Sequence, residues 1–166
     1  WASRYLDLAP VEDVGEDKAG VEVLETGQGK YQVMVSSGAH RLLADEPEDY
    51  GGLDSGPSPY GYLSAALGAC TVMTLRMYAD RKGLKVDRIG TRVLHGKVHA
   101  ADCEDCADEL KSRNGRIDRF ERLITLEGDL DAGTRARMLE IADKCPVHRT
   151  LEAGAAIVTR ESALKE

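Results

Sequence analysis

The sequence predicts an α+β fold with a long buried helix at its centre. Three observations predict it. Alternating apolar residues near the N-terminus read as hairpin strands. An apolar, well-capped segment in the middle reads as a helix. Strand-like runs then return on both sides of a second, amphipathic helix.

Residues 1–19 are polar and acidic without a clear period and read as a loose arm, leaving 20–166 as one domain. Val21 and Val23, then Tyr31, Val33 and Val35, alternate with polar neighbours around Gly27 and Gly29, a hairpin pattern. A third strand is expected over His40 to Ala44. Asp45 to Ser58, rich in Asp, Glu, Gly and Pro, reads as a long exposed loop. Its acidic start, Asp45 to Asp49, reads as solvated rather than cation-binding.

The central helix has explicit ends. Ser58 is an N-cap, Pro59 suits the first helical position, and Arg81 and Lys82 precede Gly83 at the C-terminal end. Between them apolar residues occupy nearly every face, including Met73 and Met77, so the helix is expected in the core. Leu67-Gly68-Ala69-Cys70 is narrow enough for another backbone to approach. Strands are expected over Arg88 to His99 and Ile117 to Glu127, with a polar loop from Ala100 to Gly115 between them. A helix follows over Asp131 to Lys144, with Ala136, Leu139 and Ala142 on one side and Met138 and Ile141 close by. A short helix starts at Pro146 and runs to about Glu152, and a last strand covers Ala155 to Arg160.

Bulk properties exclude several functions. With a net charge of −7 and only 5% aromatic residues, the chain has neither the basic surface nor the stacking platforms that nucleic acids require. No apolar run approaches the ~20 residues that span a bilayer. The first residues, Trp1 to Pro10, lack a signal-peptide pattern, and 4 cysteines in 166 residues do not resemble a secreted disulfide framework. On these grounds the expected compartment is the cytoplasm.

Two cysteines carry the chemical interest. Cys70 sits among Ala66, Leu67, Met73 and Thr74, where a cysteine ordinarily serves as a small core residue. Cys145 directly precedes Pro146, at the expected N-cap of the short helix. There it reads either as a simple cap or as a thiol activated by backbone N–H groups, the helix dipole and nearby Lys144, His148 and Arg149.

The surrounding strings carry a family resemblance. Gly56-Pro57-Ser58-Pro59-Tyr60 leads into Leu63-Ser64-Ala65-Ala66-Leu67-Gly68-Ala69-Cys70-Thr71. Ala142-Asp143-Lys144-Cys145-Pro146-Val147-His148 stands downstream, and His40-Arg41-Leu42-Leu43-Ala44-Asp45-Glu46-Pro47 upstream. In this order, over roughly residues 20 to 161, the chain resembles the OsmC/Ohr family, and within it the OsmC-like branch.

The resemblance implies antiparallel sheets around a long central helix and an intertwined homodimer with its sites at the subunit interface. It implies thiol-dependent reduction of organic hydroperoxides without a cofactor, with an external dithiol as reductant. Cys70 matches the family's peroxidatic cysteine and Cys145 its resolving cysteine. The family's peroxidases hold the reactive thiolate with a Glu nine or ten residues before the first Cys, where this chain has Gly61 and Tyr60, and with an Arg from a hairpin turn, where it has Gln28 and Lys30. Lys30, Arg41 and Arg149 are the candidate replacements for that charge.

Two other functions compete with peroxidase activity. The same fold without catalysis would bind a small apolar or thiol-bearing ligand at the subunit interface. Alternatively, His95, His99, Cys103 and Cys106 carry metal-ligand residue types, and a zinc-stabilised domain would use them. On a strand His95 and His99 stand ~13 Å apart, so only His99, Cys103 and Cys106 converge, as weak candidate ligands. Cys103 and Cys106 also read as a local redox pair, or as exposed loop thiols. Arg113, Arg116, Arg119 and Arg122 alternate with acidic residues and read as a solvated hairpin face.

Overall fold

A computed structural model describes residues 20–103, 106, 108–112 and 114–161. The expected arm over residues 1–19 and Arg113 lie outside the described residues.

The N-terminal strands form as the alternation predicts: β1 (Val21–Glu25), β2 (Val33–Ser37) and β3 (His40–Ala44) make an antiparallel sheet in that order. Gly38, at φ 54°, lets the chain reverse within the tight β2–β3 turn. Contacts between this sheet and the rest of the described chain are sparse. Val21, Val23, Leu24 and Leu42 consequently remain exposed.

The segment after β3 is only partly the exposed loop that its composition suggests. Asp45 is buried, and its carboxylate accepts bonds from the Glu46, Leu53 and Ser55 N–H groups and from Ser55 Oγ. A short 3-10 helix, Glu48–Tyr50, lies within it. Asp45 N–H bonds the Pro57 carbonyl, and Tyr62 Oη donates to the Leu43 carbonyl at 2.6 Å. The acidic loop is therefore an ordered knot tying the first sheet to the start of the central helix.

That helix, α1, spans Pro59–Lys82 with the expected ends: the Ser58 side chain accepts from Gly61 N–H, and Gly83 adopts a left-handed C-cap. It is not buried all round. Leu67, Thr71, Thr74, Leu75 and Ala79 face the core, whereas Ala65, Ala66, Ala69 and Met73 are exposed, Met73 at 64%. The placement of Met73 in the core is corrected accordingly; Met77 does pack against it. The narrow point at Gly68 admits β4: a Cβ there would stand 3.3 Å from Val93 Cγ2 and 3.4 Å from Thr91 Cγ2.

Strands β4 (Arg88–His99) and β5 (Arg116–Glu127) pair antiparallel along their whole length, Arg88 opposite Glu127 and His99 opposite Arg116. The pleat turns Thr91, Val93, Phe120, Arg122 and Ile124 inward and leaves Leu94 and Leu123 exposed. Helices α2 (Ala132–Ala142) and α3 (Pro146–Ala153) follow, the first capped by the Asp131 side chain on Thr134 N–H. The core joins Leu75, Ala79, Val86, Met138, Ile141 and Ala142. On α2 the buried side is thus Met138, Ile141 and Ala142; Ala136 and Leu139, expected beside Ala142, are exposed. The last strand, expected over residues 155–160, does not form within this chain. The segment has no ladder partner among the described residues, and Ile157 and Val158 are 90% and 74% exposed.

Candidate functional site

Cys70 and Cys145 come together where α1 meets the α2–α3 turn. Cys70 lies midway along α1 and is half-buried. Cys145 is the N-cap of α3 and is fully buried. The two thiols lie within electrostatic reach of each other. The local sequence produces this placement directly. α2 gives way to a turn in which the Cys145 N–H bonds the Ala142 carbonyl, and Pro146 starts α3 immediately afterwards.

The helix terminus acts differently from the sequence expectation. The Cys145 side chain accepts no capping bond. Instead the Val147 N–H, one of the unpaired donors in the first turn of α3, favours charge on the Cys70 sulfur. The electropositive helix end therefore serves the cysteine on the other element. Thr74, one turn along α1, also favours the thiolate, and its buried hydroxyl has no hydrogen-bond partner among the described residues.

Burial pushes the Cys70 thiol above its ordinary range, and the Cys145 thiol pushes it further the same way. The Val147 amide and the Thr74 hydroxyl act in the opposite direction without cancelling the rise. Within one chain the cysteine is thus held largely as the neutral thiol at pH 7.

The candidate activating cations occupy other places. Lys30 stands in the β1–β2 turn with its Nζ 4.9 Å from the centroid of the Tyr31 ring. Arg41 is exposed in β3 and donates to the Gly38 and His40 carbonyls. Arg149 lies on α3, four residues beyond Cys145, with its backbone N–H on the Cys145 carbonyl. Tyr60, in the region where the family carries its Glu, stacks on His95 at 4.2 Å between ring centroids, and His95 Nε2 meets Asp118 Oδ1 at 2.9 Å.

Sequence reasoning missed Arg122. Its side chain is 12% exposed and reaches from β5 to the residues flanking both cysteines, so it does not belong to a solvated face. The signal was present in the alternation of β5, which places Arg122 on the inner face between Phe120 and Ile124.

The other two cysteines are joined: Cys103 and Cys106 form a disulfide at the start of the long β4–β5 connection. That bond removes both thiolates from the metal reading. Among the described residues no three His, Cys, Asp or Glu side chains cluster as metal ligands. The connection also contains a 3-10 turn, Ala100–Asp102, and a helical turn, Asp108–Lys111.

The model of the OsmC-like protein family matches residues 52–160, most of the chain and both halves of the thiol pair. The chain belongs to the OsmC-like family. Solved structures agree on the fold. An OsmC-like protein of Mycoplasma pneumoniae superposes with a TM-score of 0.61 at 15% identity, over 80% of this chain and 86% of that one. A Psychrobacter arcticus protein named for osmotic stress induction and detoxification response gives 0.58 at 22% identity, over 78% and 85%. An organic hydroperoxide resistance protein OsmC of Legionella pneumophila gives 0.57 at 16% identity, over 80% and 87%. None of the curated proteins matches the sequence significantly. Among the described residues, no helix of this OsmC-like protein is long and apolar enough to cross a membrane.

Proposed function

We propose that this OsmC-like protein is a thiol peroxidase for organic hydroperoxides, with Cys70 as nucleophile and Cys145 as resolving thiol. The observation that carries the reading is the juxtaposition of the two thiols where α1 meets the α2–α3 turn, with the Val147 amide favouring charge on the Cys70 sulfur. Cys70, the more accessible of the two, attacks the distal peroxide oxygen. The O–O bond breaks, the alcohol leaves with a proton, and Cys70 becomes a sulfenic acid. Cys145 displaces the sulfenic oxygen as water and closes a disulfide. An external dithiol then reopens it by exchange, restoring two thiols.

The active form in this reading is an intertwined homodimer. Supporting it is a groove of about 490 Å³ along the exposed side of α1, lined by Ala65, Ala69, Val72 and Met73 with Thr91 and Val93 of β4. The exposed apolar residues of β1 and β3 point to the same requirement for a covering partner. A second chain would also bring its own Lys30, Arg41 or Arg149 toward the thiol pair and add positive charge there.

The test is consumption of cumene or tert-butyl hydroperoxide with a dithiol reductant, comparing wild type, Cys70→Ser and Cys145→Ser. Turnover by wild type with none by Cys70→Ser is the expected result. Equal inactivity of all three with several peroxides and dithiols overturns the reading. The upward push on the Cys70 thiol specifically favours a second reading, in which the same fold binds a small apolar or thiol-bearing ligand. Under that reading peroxide leaves both thiols titratable.

A further inference from the structure

Arg122 makes four bonds from one fork. Nη1 donates to Thr71 Oγ1 at 3.2 Å and to the Ala142 carbonyl at 2.9 Å. Nη2 donates to Asp143 Oδ1 at 2.7 Å and to His148 Nδ1 at 3.0 Å. Arginine has no acceptor, so His148 Nδ1 must present its lone pair and the ring proton sits on Nε2. That nitrogen faces Glu152 Oε2 at 3.4 Å. Thr71 is oriented as an acceptor too, because its own hydroxyl donates to the Leu67 carbonyl at 2.7 Å.

These partners bracket the thiol pair. Thr71 follows Cys70 on α1, Ala142 and Asp143 precede Cys145, and His148 lies in the first turn of α3 beyond it. The bonds go to residues flanking the cysteines, so any influence of Arg122 on the sulfurs passes through the turn. A planar fork can satisfy these directions together, whereas a lysine ammonium offers a single point.

We propose that Arg122 is a positioning residue that clamps the Cys145 turn onto α1 and so sets the rate of disulfide closure. The inference rests on the thiol-peroxidase reading. In the closing step an S–S bond forms, the S–O bond of the Cys70 sulfenic acid breaks, and water leaves with the Cys145 proton. Closure needs the Cys145 sulfur in line behind that S–O bond, and a misplacement of about 1 Å in such a geometry can cost about 100-fold. The first step, attack of Cys70 on peroxide, depends on the turn only through the Val147 amide that favours the thiolate, not through the position of the Cys145 sulfur.

The experiment treats wild type, Arg122→Lys and Arg122→Gln with one equivalent of tert-butyl hydroperoxide, traps with dimedone, and follows adduct and disulfide by peptide mass mapping. In Arg122→Gln we expect closure slowed at least about tenfold, more than the peroxide step, and a dimedone adduct on Cys70. Arg122→Lys should fall between the two. A general loss of structure would slow both steps together, which separates it from a clamp. Wild-type closure in Arg122→Gln overturns the proposal. Where circular dichroism shows that variant unfolded, Arg122→Lys decides: slower closure supports the clamp and wild-type closure overturns it. Diamide, which oxidises a dithiol without peroxide, distinguishes the two readings. If peroxide leaves wild type unmodified, the peroxidase reading fails, and closure by diamide in the same variants still supports or overturns the clamp.

Discussion

The Val147 amide favours the thiolate of Cys70 across the contact between α1 and α3, while the side chain of Cys145, the residue that caps α3, accepts no capping bond. One helix N-terminus thus favours charge on a cysteine of another helix, and the capping cysteine is buried beside it. This arrangement has a measurable pH signature.

Because burial and the Cys145 thiol raise the Cys70 pKa, the thiolate fraction at neutral pH is small. Alkylation of Cys70 by iodoacetamide should therefore accelerate as pH rises, with its midpoint above that of an unstructured thiol. Replacing Thr74 by Val removes a group that favours the thiolate and should move the midpoint further up. A midpoint below the ordinary thiol range would mean that the assembled protein supplies a cation absent from the single chain.

Asp45 gives a second pH dependence. Burial works to raise its pKa, but bonds from Ser55 Oγ and from the N–H groups of Glu46, Leu53 and Ser55 prevail and hold it below the usual carboxylate range. A depressed carboxylate contributes its stabilisation above the unfolded-state pKa and loses it as pH falls through the folded value. Asp45→Asn should lower Tm at pH 7, and the gap from wild type should shrink on acidification below about pH 4. A gap that is constant with pH would show that the charge is irrelevant to the knot.

Gly52 is required by close packing rather than by its φ. A Cβ at this position would overlap the Glu46 carbonyl, whose oxygen also accepts from Asp54 N–H. Both colliding groups belong to ordered backbone, so the clash cannot be relieved by rotating a side chain. Gly52→Ala should cost about 2 kcal/mol or more by denaturant unfolding. A cost within about 0.5 kcal/mol, ordinary for surface changes, would mean that the loop rearranges freely.

The exposed side of α1 predicts assembly. Ala69→Glu places a charge in the middle of the groove between α1 and β4, on the surface proposed for the second chain. Sedimentation should show a dimer for wild type and dissociation for the variant, because an unpaired charge in an apolar interface is costly. Identical dimers for both proteins would place the interface elsewhere.

Local chemistry determined much of this protein. The caps at Ser58 and Gly83, the alternation of β1 to β5 and the Cys145-Pro146 helix start were legible because each depends on neighbours in sequence or on a fixed period. The paired cysteine strings carried the family. What the sequence left open was decided by contacts between distant segments. Met73 and Leu139 are apolar in a helical pattern, yet no element among the described residues covers them. Residues 155–160 have strand composition, but a strand needs a ladder partner, and none is present among the described residues. Arg122 alternated with acidic residues and read as solvated until packing brought Thr71, Ala142, Asp143 and His148 around its fork. Periodicity specifies which face an element buries. Only the tertiary structure specifies what lies against that face, because buried charge, thiol contact and strand pairing are all properties of two segments at once.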